Sequence, residues 1–436
     1  MITSLGGQQQ NYGSSQLPKP AAKAIPLPRE LNLILSQSVL VFTSTAATYY
    51  FWALLPSWEA DPALGWSKSE TLTVNWSTTL SEAFGLLLAG PLADYIEPVH
   101  LIGLEGSVTF LGLFISGTLT SASSLIMTLL VVNFMKGILW PSLGSIIFQT
   151  VPSEKQDFFF FCCALSSRLS GAAGDLMVGQ LLKWGFSWRT AIYGFGGILC
   201  VGFIVSMVAL EKTLARSIHD EVQMSPSWGA SYGAKWSKLI SDFAGWLALT
   251  VLVGSSCIWA LAGYLAVMMK EQFKLSSGGS AMAASSLLCG TFLGLLLAGL
   301  VTWIYGRGAG RIMQLIQGVM GLVAFYAMCF VPTMSIWPWL ACLLLAGLGF
   351  GPLLYLPYCV YCASVPQGRR AFSMAVLDSL ATASSCSLRV LFGELRLTAP
   401  RHAGAVMYEI TAFGLTLATL ATAMLYCRRG DSSQTF

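Results

Sequence analysis

Six ionisable side chains interrupt stretches that are otherwise apolar: Glu82, Lys136, Arg168, Asp175, Asp378 and Arg389. Each costs roughly 2.5–3.5 kcal/mol at the centre of a bilayer on insertion scales, so such groups belong where a partner or a wet cavity receives them. Asn133, Lys136 and Trp140 recur at i, i+3 and i+7, which is one stripe of a helix. An ammonium with an amide and an indole beside it can hold a carboxylate and the flat body attached to it; the competing reading pairs Lys136 with Glu82 or Asp175 to fix helices. Arg168 and Asp175 lie seven residues apart, and Asp378 and Arg389 eleven apart, close to two and three whole turns. The arginines suit two-pronged capture of an anion, or else structural ion pairs. Glu82 and Asp175 are candidates for trading a proton, and with Asp378 and Asp94 they form the expected coupling and gating set.

The elements that position these groups must be membrane helices. Of 436 residues, 55% are hydrophobic and 10% charged, with mean hydropathy +0.67. Soluble domains carry about 25% charged residues, so a water-facing surface cannot be built from this chain. A net charge of +4 with thinly spread bases argues against nucleic acid as a partner. Cysteines such as Cys162, Cys163, Cys257, Cys289 and Cys342 fall inside apolar runs and read as small hydrophobes. Cys359 and Cys362 have redox spacing, but no histidine stands near them, so no metal or cofactor is expected. His100, His219 and His402 lie in polar segments, and no G-x-x-x-x-G-K-S/T loop for ATP occurs. Transport rather than catalysis is expected, driven by a gradient.

A helix needs about 20 apolar residues to cross a bilayer. That ruler predicts twelve spans, near 31–55, 71–93, 99–119, 122–149, 158–182, 187–210, 243–268, 280–304, 310–331, 335–361, 372–395 and 403–427. Residues 1–30 are Gln, Ser, Gly and Pro rich and read as a disordered tail with no signal peptide. The polar segment 211–242 reads as a central loop between six-helix bundles at 31–210 and 243–427, and 428–436 as a second tail. With the N-terminus inside, 14 Lys and Arg fall in cytoplasmic segments against 7 outside, which places both termini in the cytoplasm. An offset of 214 carries Val151-Pro152 onto Val365-Pro366, Gly179 onto Gly393 and Asp175 onto Arg389, as a repeated six-helix unit would. Opposite charges at equivalent depth in the two units can form a gate.

Gly90-Pro91-Leu92-Ala93-Asp94 closes the second span, and Gly306-Arg307-Gly308-Ala309-Gly310-Arg311 occupies the corresponding loop of the second half. With six plus six spans, this resembles the major facilitator superfamily and its G-x-L-a-D-R-x-G-R-K/R loop. The resemblance implies alternating access, a cavity lined in part by the fourth span, and a latching role for Asp94. Tyr95, Ile96, Glu97 and His100 stand where the loop's Arg, Gly and basic residues are usual.

Lys136-Gly137-Ile138-Leu139-Trp140-Pro141, Val151-Pro152-Ser153-Glu154-Lys155 and Gly185-Phe186-Ser187-Trp188-Arg189 are similar to the run found in the organic-anion and organophosphate exchanger branch. That branch grips phosphate with arginines in spans one and seven; neither span has one here.

The expectation is an all-α, twelve-span, monomeric carrier of a small organic anion, in exchange for another anion or with protons, in the plasma membrane or an endomembrane. Asn133, Lys136, Trp140, Arg168 and Arg389 are the expected substrate residues. A carrier of a neutral solute is the alternative, and a non-transporting receptor or scaffold of the same fold is the rival class. Tyr49, Tyr50, Phe51 and Trp52 are read as interface aromatics, and Gly347, Gly349 and Gly351 as making the tenth span bendable.

Overall fold

A computed structural model describes residues 27–218, 243–330, 335–353 and 370–430. Among these residues every regular element is a helix: α1 (Leu27–Trp58), α2 (Lys68–Tyr95), α3 (Pro98–Thr118), α4 (Ala122–Thr150), α5 (Ser153–Lys183), α6 (Trp188–Ile218) and α7 (Phe243–Phe273). The stretch Ser277–Phe330 breaks at Gly306, whose φ of 85° favours glycine, and so makes two helices, α8 (Ser277–Gly306) and α9 (Gly308–Cys329). Then come α10 (Ile336–Leu353), α11 (Arg370–Thr398) and α12 (Pro400–Gly430).

Among the described residues twelve helices stand where twelve spans were expected, and α1 begins at Leu27, inside the segment read as a tail. The second half of the expected tenth span, with Pro357, Cys359, Cys362, Val365 and Pro366, lies outside the described residues, as does most of the central loop.

Among the described residues ten helices are long and apolar enough to cross a membrane; α2 and α5 are long enough but more polar. Their polarity matches their position, because both pack against the last six helices. α2 lies along α11 and α5 along α8. Ser379 donates to the Ala83 carbonyl at 2.9 Å across the first of these interfaces. Across the second, a Cβ on Gly179 would lie 2.7 Å from Met282 and 2.9 Å from the Gly278 carbonyl. Gly393, which the 214-residue offset equates with Gly179, meets Leu72 across the α2–α11 interface. Both glycines thus sit at close contacts between the first six and the last six helices.

Small residues bring other helices to backbone contact. A Cβ on Gly85 would lie 1.9 Å from the Phe134 carbonyl, and one on Gly137 2.5 Å from the Glu82 carbonyl, so α2 and α4 touch there. Gly290 and Gly294 of α8 meet α10 in the same way. Gly347 and Gly351 are the α10 side of that contact and Gly349 packs on Gly321, so these glycines serve close packing where bending was expected. The lipid-facing surface is apolar, with Trp303, Ile198 and Val323 well exposed.

Ends are fixed by local chemistry. Ser67 and Glu70 form a capping box that starts α2. Trp188 Nε1 and Arg189 donate to Asp61 Oδ2 at 2.8 and 3.0 Å, tying the α1–α2 connection to the start of α6. These two residues end the Gly185–Arg189 motif. Lys155, from the neighbouring motif, pairs with Glu30 of α1 at 2.6 Å.

Gly137→Val is expected to destabilise the protein by about 1–3 kcal/mol through overpacking. Gly194→Ala, where a Cβ meets nothing within 4 Å and α6 gains a better helix former, should hold or slightly raise the melting temperature. The Trp188 indole, then the Arg189 guanidinium, hold Asp61 below the usual carboxylate range against partial burial. A depressed folded pKa stabilises above the unfolded value of about 3.9 and is lost as pH falls through the lower folded value. Asp61→Asn should therefore lower the melting temperature at neutral pH, and the deficit should close on acidification.

Candidate functional site

Between the first and last six helices lies a cavity of about 110 Å³, lined from α1, α2, α4, α5, α7 and α11. Lys136 projects from α4 with its Nζ 2.8 Å from Glu82 Oε1 on α2 and 4.1 Å from the centre of the Tyr49 ring. The Gly85 and Gly137 contact sets this distance, because α2 and α4 could not otherwise approach so closely. The structural partner of Lys136 is therefore Glu82.

Arg389 of α11 is 2% exposed and is held by oxygens from both sets of helices. It donates to the Asn75 carbonyl at 3.3 Å, to Asn75 Oδ1 at 3.4 Å and to the Trp259 carbonyl at 2.8 Å. Its Nε has no hydrogen-bond partner, and among the described residues no carboxylate lies within ion-pair distance of it. Its guanidinium carbon sits 4.6 Å from the Trp52 ring, and that of Arg168 4.6 Å from the Trp259 ring. Tyr49 stacks on Trp52 at 4.9 Å and on Trp259 at 5.6 Å. Three cations thus lie against a wall of three rings, an arrangement favourable to cations and open to a flat ligand.

Of the expected substrate residues, Lys136, Trp140, Arg168 and Arg389 line this cavity, with Glu82 and Asp378. Asn133 does not: it is buried, and its amide donates to the Leu129 carbonyl one turn back on α4. Asp175 is buried on α5 outside the lining, and Arg389 is turned to the Asn75 and Trp259 oxygens. The side chain of Asp94 lies outside the described residues. Tyr49 and Trp52, read from sequence as interface aromatics, are walls of the cavity.

Two features escaped the sequence reading. One is Glu105, a fully buried carboxylate on α3. The other is a four-charge cluster at the end carrying the α1–α2, α7–α8 and α11–α12 connections. Arg396, counted from sequence as a loop base, is 3% exposed and donates to both Glu59 oxygens at 2.8 and 2.9 Å. It also pairs with Glu271 at 3.0 Å, and Glu271 with Lys68 at 2.6 Å. Lys270 adds a bond to the Pro56 carbonyl at 2.7 Å. Contacts on the opposite side of the cavity include Gly90 against Ala375 and Gly144 against Met374.

The sequence profile of the Major Facilitator Superfamily matches residues 38–388. The chain belongs to that family. This facilitator is a multi-pass membrane protein of a transporter family. Its fold is similar to the crystal structure of a bacterial homologue of the iron transporter ferroportin in an outward-facing state, at 15% identity and a TM-score of 0.64, covering 92% of this chain and 99% of that one. The same homologue with soaked iron matches at 15% identity and a TM-score of 0.64, covering 93% and 99%. No curated protein matches the sequence.

Removing one member of a buried ion pair strands the other. Lys136→Met is expected to lower the stability of the facilitator by about 3 kcal/mol, and the double variant Lys136→Met/Glu82→Gln to recover most of that loss in thermal melting.

Proposed function

We propose that this facilitator carries a small organic anion by alternating access between two six-helix halves, with both termini in the cytoplasm. The observation that carries the reading is the charge of the cavity. Lys136, Arg168 and Arg389 line it against Glu82 and Asp378, three basic side chains to two acidic ones. Sequence alone counted three against three, and the location of Asp175 outside the lining breaks that tie. An anion docking on Arg389 adds charge-assisted hydrogen bonds to a guanidinium now held by neutral oxygens. Tyr49, Trp52, Trp140 and Trp259 supply flat faces for the body of such a solute. The surplus of Lys and Arg in segments 14 to 7 supports the orientation.

The iron named for the similar bacterial homologue is not carried over. A cavity bearing a cationic surplus opposes a divalent metal ion, and among the described residues no group of three or more His, Cys, Asp or Glu is placed to hold one.

Benzoate and its neutral isostere benzamide test the reading at fixed ionic strength. Benzoate should raise the melting temperature of the purified protein by mass action, equivalent to about 2.7 kcal/mol at a hundredfold excess over Kd. Benzamide should not, and Arg389→Gln should abolish the benzoate effect while Arg389→Lys keeps part of it. Equal stabilisation by both compounds, unchanged in Arg389→Gln, would overturn the proposal in favour of a neutral solute.

A further inference from the structure

Within α3 the titratable residues are His100, in its first turn, and Glu105. Glu105 is 0% exposed. Its Oε1 accepts from Ser44 Oγ of α1 at 2.6 Å and from Thr109 Oγ1, one turn along α3, at 3.2 Å. Its Oε2 is buried with no hydrogen-bond partner. The group is outside the lining of the substrate cavity.

The helices packed on α3 are α1, α4 and α6. α1 carries charge only in its first turn, at Arg29 and Glu30, and α6 carries none between Arg189 and Glu211. Opposite Glu82, α4 carries Lys136, already engaged at 2.8 Å. Among the described residues Glu105 therefore has no basic side chain at ion-pair distance, and Lys136 stands on α4, the helix packed most extensively on α3.

An ionised carboxyl in hydrocarbon is kept by a cation or neutralised by a proton. Ser44 and Thr109 both donate to one oxygen, which leaves Oε2 as the place for a hydrogen. Binding there is the addition of a proton to a carboxylate, with no other bond made or broken. The field of Lys136 favours the ionised form of Glu105. An anion in the cavity offsets that field, so it strengthens proton binding, and by reciprocity a bound proton strengthens anion binding. We propose that Glu105, held by Ser44 and Thr109, binds a proton that enters and leaves together with the anion. The identity of the co-bound anion rests on the reading of the cavity above, whereas the proton site stands on its own geometry.

Infrared difference spectra of the purified, ligand-free full chain across a neutral-to-alkaline step test the site. A protonated-carboxyl C=O band should be present, absent in Glu105→Gln and displaced in Ser44→Ala, which removes one donor and leaves the acid. A spectrum without a band assignable in this way overturns the site, and a band unmoved in Ser44→Ala overturns the assignment without reliance on the folding of Glu105→Gln. Benzoate is then added to weakly buffered protein. Proton uptake by the wild type, lost in Glu105→Gln while benzoate still raises the melting temperature of both, is the expected result. Stabilisation of the wild type without proton uptake overturns the coupling and leaves the anion reading standing. If benzoate stabilises neither protein, the anion reading and the coupling built on it both fall, and the infrared band alone decides the proton site.

Discussion

A charge in hydrocarbon must be matched, and the interior of this protein is arranged around that requirement. Lys136 is matched by Glu82, and Arg396 by Glu59 and Glu271. Arg389 is matched differently, by carbonyl oxygens of α2 and α7 that already serve their helices. A carbonyl has two lone pairs, so it can accept a second bond without leaving its helix. Neutral oxygens hold a guanidinium less firmly than a carboxylate does. On the anion reading proposed above, that difference makes Arg389, and not Arg396, the group to be recruited.

The same requirement shapes the closed end. Its four charges alternate, Glu59 and Lys68 from the first six helices, Glu271 and Arg396 from the last six. Separating the two sets would break Arg396–Glu59 and Lys68–Glu271. Each side would still keep one acid and one base, and Arg396–Glu271 would stay intact. Backbone contacts at Gly85 and Gly137 and at Gly290 and Gly347 lie within the two sets of helices, which suits them to moving as rigid bodies.

The helices were legible because apolar length is a strong signal, and a polar turn marks most ends. Gly306 sits in the expected loop and takes the conformation its residue type allows. The cavity residues were legible to the extent that charge inside an apolar run betrays itself: Lys136, Arg168, Arg389, Glu82 and Asp378 all converge. Glu105 gave the same signal as a lone carboxylate in the third span, and could have been found by the same rule. What sequence could not give was how far the cavity reaches along each helix. Asn133 and Asp175 share a face with Lys136 and Arg168, one and two turns away, and both lie outside the lining. Arg396 failed in the other direction, since a base near a predicted boundary looks exposed until the opposing acids are seen.

α11 joins the site to the closure. Arg389 and Arg396 are seven residues apart, two turns on one face, and on α7 Tyr264 and Glu271 have the same spacing. Tyr264 donates to the Arg389 carbonyl at 2.9 Å, and Glu271 pairs with Arg396. The cavity charge and the closure charge are therefore mounted on one pair of helices with fixed spacing. Arg389 reaches from that pair to Asn75 on α2, as Arg396 reaches to Glu59 on α1. On the reading proposed above, an anion drawing the guanidinium away from Asn75 would remove one of these cross-ties while leaving the other, so occupancy of the cavity would change how much interaction holds that end together. A ligand shifts such an equilibrium only by its differential contact with the two states, and the bond from Arg389 to Asn75 is the contact through which an anion in the cavity would act.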